Sequence, residues 1–349
     1  MIDLEYQARS LLDALPQDPD VHLHNIDVAN RRAALVRLDR QRYIDAAFLD
    51  DRALTANDTA VWLPLEKLIE ACGRIEAQPH DAIFHIAHCG STLISRLIGA
   101  LPNNLPKREP LSWLSCGIAA RQVEHTITQR AFLAMFEAIS RLLARRYAPN
   151  ERVIVKSTSV AASLLPNFLS REASQRAVLL TMPAEDWIAT MLSPHASRTS
   201  IDSVAPYWAF DLGGTPEITG DPISSPELAH HIGAAWVAPM LWFAAAQKND
   251  AERVKLCVTA DLLESPAVGL ASLSGFLGLG ADSAAIETAV NGPILGQYSK
   301  DVELPYDATL RRSRLEASKR DNAEQIAVAM KFVERFAANE PLIADHLTG

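Results

Sequence analysis

From Asp81 onward, short apolar and β-branched runs alternate along the chain with stretches of helical periodicity. The runs occupy residues 83–87, Arg152–Lys156, Ala177–Thr181 and Val254–Val258, and helical patterns follow from near Ser91, Val160, Ala184 and Pro266. Strands that are apolar throughout, not only at every second position, are buried on both faces. Their alternation with helices predicts a parallel sheet covered by helices, an α/β architecture in which ligands sit at the carboxyl ends of the strands. Residues 127–147 place Phe132, Met135, Phe136, Ile139, Leu142 and Leu143 at helical spacing, and residues 322–338 repeat the pattern. Both read as helices that cover the core. Ahead of this unit, residues 1–75 hold short apolar stretches (33–38, 43–49, 60–63) broken by Asp50-Asp51 and Asn57-Asp58, then a helix over 65–71. They predict a small mixed α/β appendage, with the main unit spanning 76–349. There is no solenoid repeat and no low-complexity linker.

Composition narrows the class. The 349 residues are 48% apolar with 15 Gly and 20 Pro, which excludes collagen-like and disordered chains. Lys and Arg number 33 against 42 Asp and Glu, a net charge of −9, so a nucleic-acid partner is not expected and any anion must be held by a local pocket. The start, Met-Ile-Asp-Leu-Glu, is acidic where an export signal is basic, and a cytoplasmic location is expected. The longest uncharged apolar stretch, 232–246, contains Pro239 and is shorter than the roughly 20 residues of a membrane span, so it predicts a buried helix and no span. Cys72, Cys89, Cys116 and Cys257 form no C-x-x-C pair, which fits a reducing compartment. No histidine pair has a carboxylate or cysteine at ligand spacing, so no metal is expected; His22, His24, His85, His88, His230 and His231 read as surface or core histidines.

The most informative segment is Ile83-Phe84-His85-Ile86-Ala87-His88-Cys89-Gly90-Ser91-Thr92, a strand running through a tight turn into a helix. Such a turn aims free backbone N–H groups and a helix dipole at one point, which suits a phosphate or sulfate. The alternative is an ordinary connection in which Ser91 or Thr92 only caps the helix. A nucleotide triphosphatase pattern would need Gly at position 85 and Lys at 91, where the chain has His85 and Ser91. The only Asp close behind one of these strands is Asp261, after the last, so no Mg²⁺-holding Asp is evident. Sulfonate transfer needs neither.

At residues 87–93 the chain resembles the phosphosulfate loop of P-loop sulfotransferases that use 3′-phosphoadenosine 5′-phosphosulfate. Further segments resemble that family in order. Glu109, 19 positions after Gly90, is similar to the catalytic glutamate of tyrosylprotein and Golgi-type members. Lys156-Ser157-Thr158 is similar to their lysine segment, residues 179–193 to the strand and helix that contact the 3′-phosphate, and 260–279 to a late strand, acidic loop and Phe-Leu-Gly-Leu helix. The resemblance covers roughly residues 81–340. It implies a P-loop sheet of sulfotransferase type, this donor without a metal, and a small-molecule, glycan or lipid hydroxyl as acceptor.

The resemblance implies further that Glu109 is the general base, with Lys156 and His88 stabilising the transition state. Cys89, Gly90, Ser91, Thr92, Thr190, Arg198 and Ser299 would bind the donor. Two departures stand out: His88 replaces a basic residue of the loop, and Met182 replaces the Arg expected to hold the 3′-phosphate. Losing that Arg removes a charge-assisted contact of about 1.5–3 kcal/mol. Arg198 and the stretch Arg311, Arg312, Arg314, Lys319 and Arg320 are candidate replacements, although the stretch also reads as a solvated helix face. Thr259-Ala260 replace a Tyr-Glu pair. Two other functions remain: a binding module on the same fold that has lost the chemistry, and a small-molecule kinase.

Overall fold

A computed structural model describes residues 4–123, 125–194, 198–213, 228–298, 301–305 and 308–348. The side chain of Arg198 and all of Ser299 lie outside the described residues. The main sheet has five parallel strands: β4 (Asp81–His85), β5 (Asn104–Arg108), β6 (Arg152–Lys156), β7 (Ala177–Thr181) and β8 (Val254–Val258). Their order across the sheet is β5-β6-β4-β7-β8, with every neighbouring pair parallel. The chain thus leaves the central β4 for one edge and later crosses to the other, and that reversal opens a crevice at the carboxyl end of β4. Helices Ser91–Gly99, Leu111–Ala120, Gln129–Leu143, Ala184–Leu192 and Leu228–Asp250 cover the sheet. The apolar runs explain the burial: every residue of β4 and β7 is buried.

Strand β5 departs from the sequence expectation. Its residues, Asn-Leu-Pro-Lys-Arg, are too polar to read as a strand, yet all five are buried. Pro106 is tolerated because β5 is an edge strand, where a missing N–H breaks no ladder. That edge is covered by the N-terminal elements. Arg108 donates to the carbonyls of Ile44 (2.8 Å) and Ala46 (2.9 Å) and to Ser95 Oγ. Burial pushes its guanidinium down to about 10. Lys107 Nζ donates to Arg145 O at 3.0 Å and lies over the Tyr43 ring.

The N-terminal elements form an antiparallel sheet, β1 (Val21–Asp27), β2 (Arg32–Arg37) and β3 (Val61–Pro64), flanked by helices Leu4–Ala14 and Leu65–Cys72. Residues 43–49 are not a strand: Asp39 caps a short helix, Arg40–Asp45, and the chain continues as a loop. Arg145, on the main unit, donates to the carbonyls of Leu15, Asp18 and Val21. The apolar side chains of both parts belong to one hydrophobic cluster, from Leu11 to Ile343. Among the described helices, Leu228–Asp250 is long and apolar enough to cross a membrane, but 72% of its most apolar window is buried. Trp236 and Phe243 within it are wholly buried. As the sequence predicts, it is a core helix, longer than the apolar stretch alone suggests.

Candidate active site

The turn after β4 is built by unusual backbone angles. Ala87 (φ 64°), His88 (φ 43°) and Gly90 (φ 86°) all lie in the left-handed region. Gly90 is required there twice over, since a Cβ would also sit 2.8 Å from Thr259 Cγ2 at the end of β8. The helix then begins with Gly90 as its N-cap, a residue with no side chain to cap it. Ser91 and Thr92 are already helical and buried, so neither is the cap that an ordinary connection would use. Trp187 Nε1 donates to Ala87 O at 2.8 Å and fixes the turn from the β7 side. Two hydroxyls near this turn, Thr158 Oγ1 after β6 and Thr259 Oγ1 after β8, are buried without a hydrogen-bond partner. Buried polar groups are normally paired, so these two are suited to a polar group that enters the crevice.

Cys89 does not behave as a helix-terminal thiol. It is wholly buried, with Sγ 3.6 Å from Leu180 O, and burial raises its thiol above the ordinary range despite the opposing pull of Lys156 and nearby backbone amides. His88 is half-buried at the crest of the turn.

Glu109 and Lys156, 47 residues apart in sequence, are brought together by the sheet. Arg108 pairs with Lys156 in the parallel register of β5 and β6, so Glu109 is the first residue beyond the ladder. Its N–H donates to Lys156 O at 2.7 Å, and Lys156 Nζ donates to Glu109 Oε1. The Lys156 side chain is fully buried, whereas that of Glu109 is 18% exposed, so the pair is open only through the carboxylate. Glu109 itself has φ 48°, a third strained position in the site. The Phe48 ring has both the Arg52 guanidinium (3.6 Å from the ring centre) and Lys156 Nζ (6.0 Å) over it. This loop is stitched to the strand end by Leu49 N–H to Arg108 O (2.7 Å) and Leu111 N–H to Leu49 O (3.0 Å).

His85, set aside from the sequence, proves to be part of this cluster. Its ring is buried, Nδ1 accepts from Ala87 N–H (2.9 Å), Nε2 meets Ser157 O (2.7 Å), and Nε2 lies 3.7 Å from Glu109 Oε1. The signal available in the sequence was its place where a nucleotide loop has glycine.

The residues expected to read a 3′-phosphate are arranged differently. Thr190 Oγ1 donates to Asp186 O within its own helix (2.8 Å) and faces Met182 Sδ. Lys319 is engaged by Asp186 (2.6 Å) and Glu185 (3.2 Å), which ties the basic stretch to helix Ala184–Leu192. Arg312 and Arg320 are exposed, as on a solvated face. Trp236 is core, with Nε1 donating to Met182 O, while Trp242 is half-buried. Among the described residues no three of His, Cys, Asp and Glu are grouped as a metal site.

No protein-family model matches the chain. No curated protein matches it either. Several solved sulfotransferase structures do. The sulfotransferase domain from the curacin biosynthetic pathway is 11% identical, with a TM-score of 0.43 over 71% of this chain and 99% of that one. A sulfotransferase from Mycobacterium tuberculosis H37Rv is 15% identical, with a TM-score of 0.38 over 73% of this chain and 81% of that one. Retinol dehydratase, solved with androsterone and the inactive cofactor PAP, is 13% identical, with a TM-score of 0.38 over 82% of this chain and 89% of that one.

Proposed function

We propose that this protein transfers a sulfonate group from 3′-phosphoadenosine 5′-phosphosulfate to a hydroxyl acceptor. The observation that carries the reading is the meeting, at the carboxyl ends of three adjacent strands, of an uncapped glycine turn with the Lys156–Glu109 pair. The turn offers backbone amides to an anion, and the orphaned hydroxyls of Thr158 and Thr259 add donors beside it. Gly90, Ser91 and Thr92 would hold the 5′-phosphate, with His88 at the crest of the turn. The donor, when bound, supplies the sulfonate and a leaving group that departs as 3′,5′-ADP.

Glu109 takes the acceptor's hydroxyl proton as the new oxygen–sulfur bond forms and the bond to the phosphate oxygen breaks. Lys156 and His85 both face Oε1 of Glu109, which leaves Oε2 for that proton. Lys156 donates to the oxygen on which charge builds, and its burial makes the contribution large, because a preorganised donor away from water is not screened. Phe48 and Arg52 form the wall that an acceptor passes.

A second reading, a binding module without the chemistry, is favoured by one observation: Met182 stands where an Arg is expected and the Thr190 hydroxyl is spent on Asp186 O. Thermal unfolding with 3′,5′-ADP, AMP, ATP with Mg²⁺, and buffer alone separates the readings. A ligand at 100 times its Kd adds about 2.7 kcal/mol of stability. Stabilisation by 3′,5′-ADP beyond AMP supports sulfonate transfer, no shift at millimolar nucleotide removes the donor, and a shift only with ATP and Mg²⁺ points to a kinase.

A further inference from the structure

We infer that His85 is the positioning residue of the Lys156–Glu109 pair, holding the carboxylate and the 86–90 turn in one register without acting as an acid or base itself. This rests on the proposed function, since positioning matters only where Glu109 and Lys156 act. The argument begins with the protons. A backbone N–H can only donate, so Nδ1, which accepts from Ala87 at 2.9 Å, carries no hydrogen. The ring hydrogen is therefore on Nε2, where it is donated to Ser157 O at 2.7 Å. Both nitrogens are thus spent on backbone groups, and the imidazole is 3% exposed. A proton taken by Glu109 has no acceptor on this ring.

What remains for His85 is geometry. The N–H is directed at Ser157 O, and Nε2 lies 3.7 Å from Glu109 Oε1, too long for a hydrogen bond but close enough for the ring to pack against the carboxylate. Ser157 N–H in turn donates to Ile83 O (2.8 Å), and Glu109 N–H to Lys156 O (2.7 Å). One ring therefore connects the ends of β4 and β6 and abuts Glu109, the residue just after β5. It sits beside two strained non-glycine positions, Ala87 and Glu109. Such backbone costs about 1–3 kcal/mol each and persists only where the surroundings over-determine it. A glycine at 85 would leave the Ala87 amide and the Ser157 carbonyl without these bonds.

The two sides of the ring can be tested separately. In His85→Asn the side-chain oxygen can replace Nδ1 and keep the turn, while contact with Ser157 and Glu109 is lost. In His85→Gln the longer amide can replace Nε2, while the turn is released. The expected result is a split. His85→Asn retains 3′,5′-ADP binding within about 3-fold but lowers kcat about 10-fold, and His85→Gln weakens 3′,5′-ADP binding about 10-fold with a smaller change in kcat, each the loss of about one hydrogen bond. Variants that shift Kd and kcat alike would overturn the proposal, because a purely structural histidine gives no split. A readout independent of turnover accompanies this. In protein labelled with ¹⁵N-histidine, His85 is expected as the Nε2–H tautomer at pH 7.5, and Glu109→Gln is expected to move its Nε2 resonance. An Nδ1–H tautomer, or a resonance indifferent to Glu109→Gln, sinks the proposal. If wild-type protein fails to bind 3′,5′-ADP, the proposed function falls, and the tautomer measurement still decides whether His85 holds Glu109.

Discussion

Two lysines are buried in the main sheet, on neighbouring strands, and they live in opposite surroundings. Lys107 on β5 meets one carbonyl, the Tyr43 ring and the positive charge of Arg145, with no carboxylate bonded to it. Desolvation, with Arg145 adding to it, pushes its amine well below its ordinary value of 10.5. Lys156 on β6 is equally buried but bonded to a carboxylate that reaches solvent. Burial without a bonded carboxylate disfavours the charged form of the amine. Burial against a partly exposed carboxylate instead pairs the amine with an opposite charge, and the proposed function draws on that second arrangement.

The comparison breaks first at Lys156. Lys156→Met is expected to lower kcat by about 10²–10³-fold, the usual cost of one preorganised donor. Release of 3′,5′-ADP from the sulfonate donor in the presence of an alcohol acceptor measures it, and a loss of less than 10-fold would put Lys156 on a par with Lys107. Next comes the glycine turn after β4. Gly90→Ala places a side chain at φ 86° and 2.8 Å from Thr259 Cγ2, and is expected to cost about 1–3 kcal/mol in urea unfolding and to abolish stabilisation by 3′,5′-ADP. Thr259→Ser removes the clashing methyl, so the double variant should recover part of the loss; strict additivity would show that the contact does not matter.

Lys107→Met sharpens the contrast from the other side, because an apolar replacement for a buried, carboxylate-free amine is expected to change stability by less than about 1.5 kcal/mol. The sign of its pH dependence follows from the depressed amine. Between the folded value and 10.5 the unfolded chain binds more protons, so stability attributable to Lys107 rises with pH across that window. Unfolding curves at increasing pH should rise less steeply in Lys107→Met than in wild type. The smallest effect is expected at Cys89, whose buried, raised thiol should stay unlabelled by iodoacetamide at pH 8 in the native protein.

Much of this arrangement could be read from the residues. Strands β4, β6, β7 and β8 announce themselves as largely apolar runs, because strands packed between helices bury most of their side chains. β5 did not, since its Lys107 and Arg108 are satisfied by carbonyls from residues 44, 46 and 145, partners that only the folded chain supplies. With β5 hidden, nothing in the spacing of Glu109 and Lys156 predicts their meeting; the resemblance to sulfotransferases named both, and the register of β5 and β6 explains the contact. His85 was illegible for a related reason. A buried histidine in an apolar strand has the pattern of a core residue, and its role appears only when the Ala87 amide folds back onto it.

The bond pattern of Arg145 has a consequence for synthesis on the ribosome. The carbonyls of Leu15, Asp18 and Val21 are made long before the guanidinium that binds them, 124 residues later than Val21. At a translation rate of about 5–20 residues per second, that separation is about 6–25 s. During this interval the first sheet is a nascent fragment with this fastening still unmade, and the fastening closes only when the helix that ends near Arg145 leaves the exit tunnel.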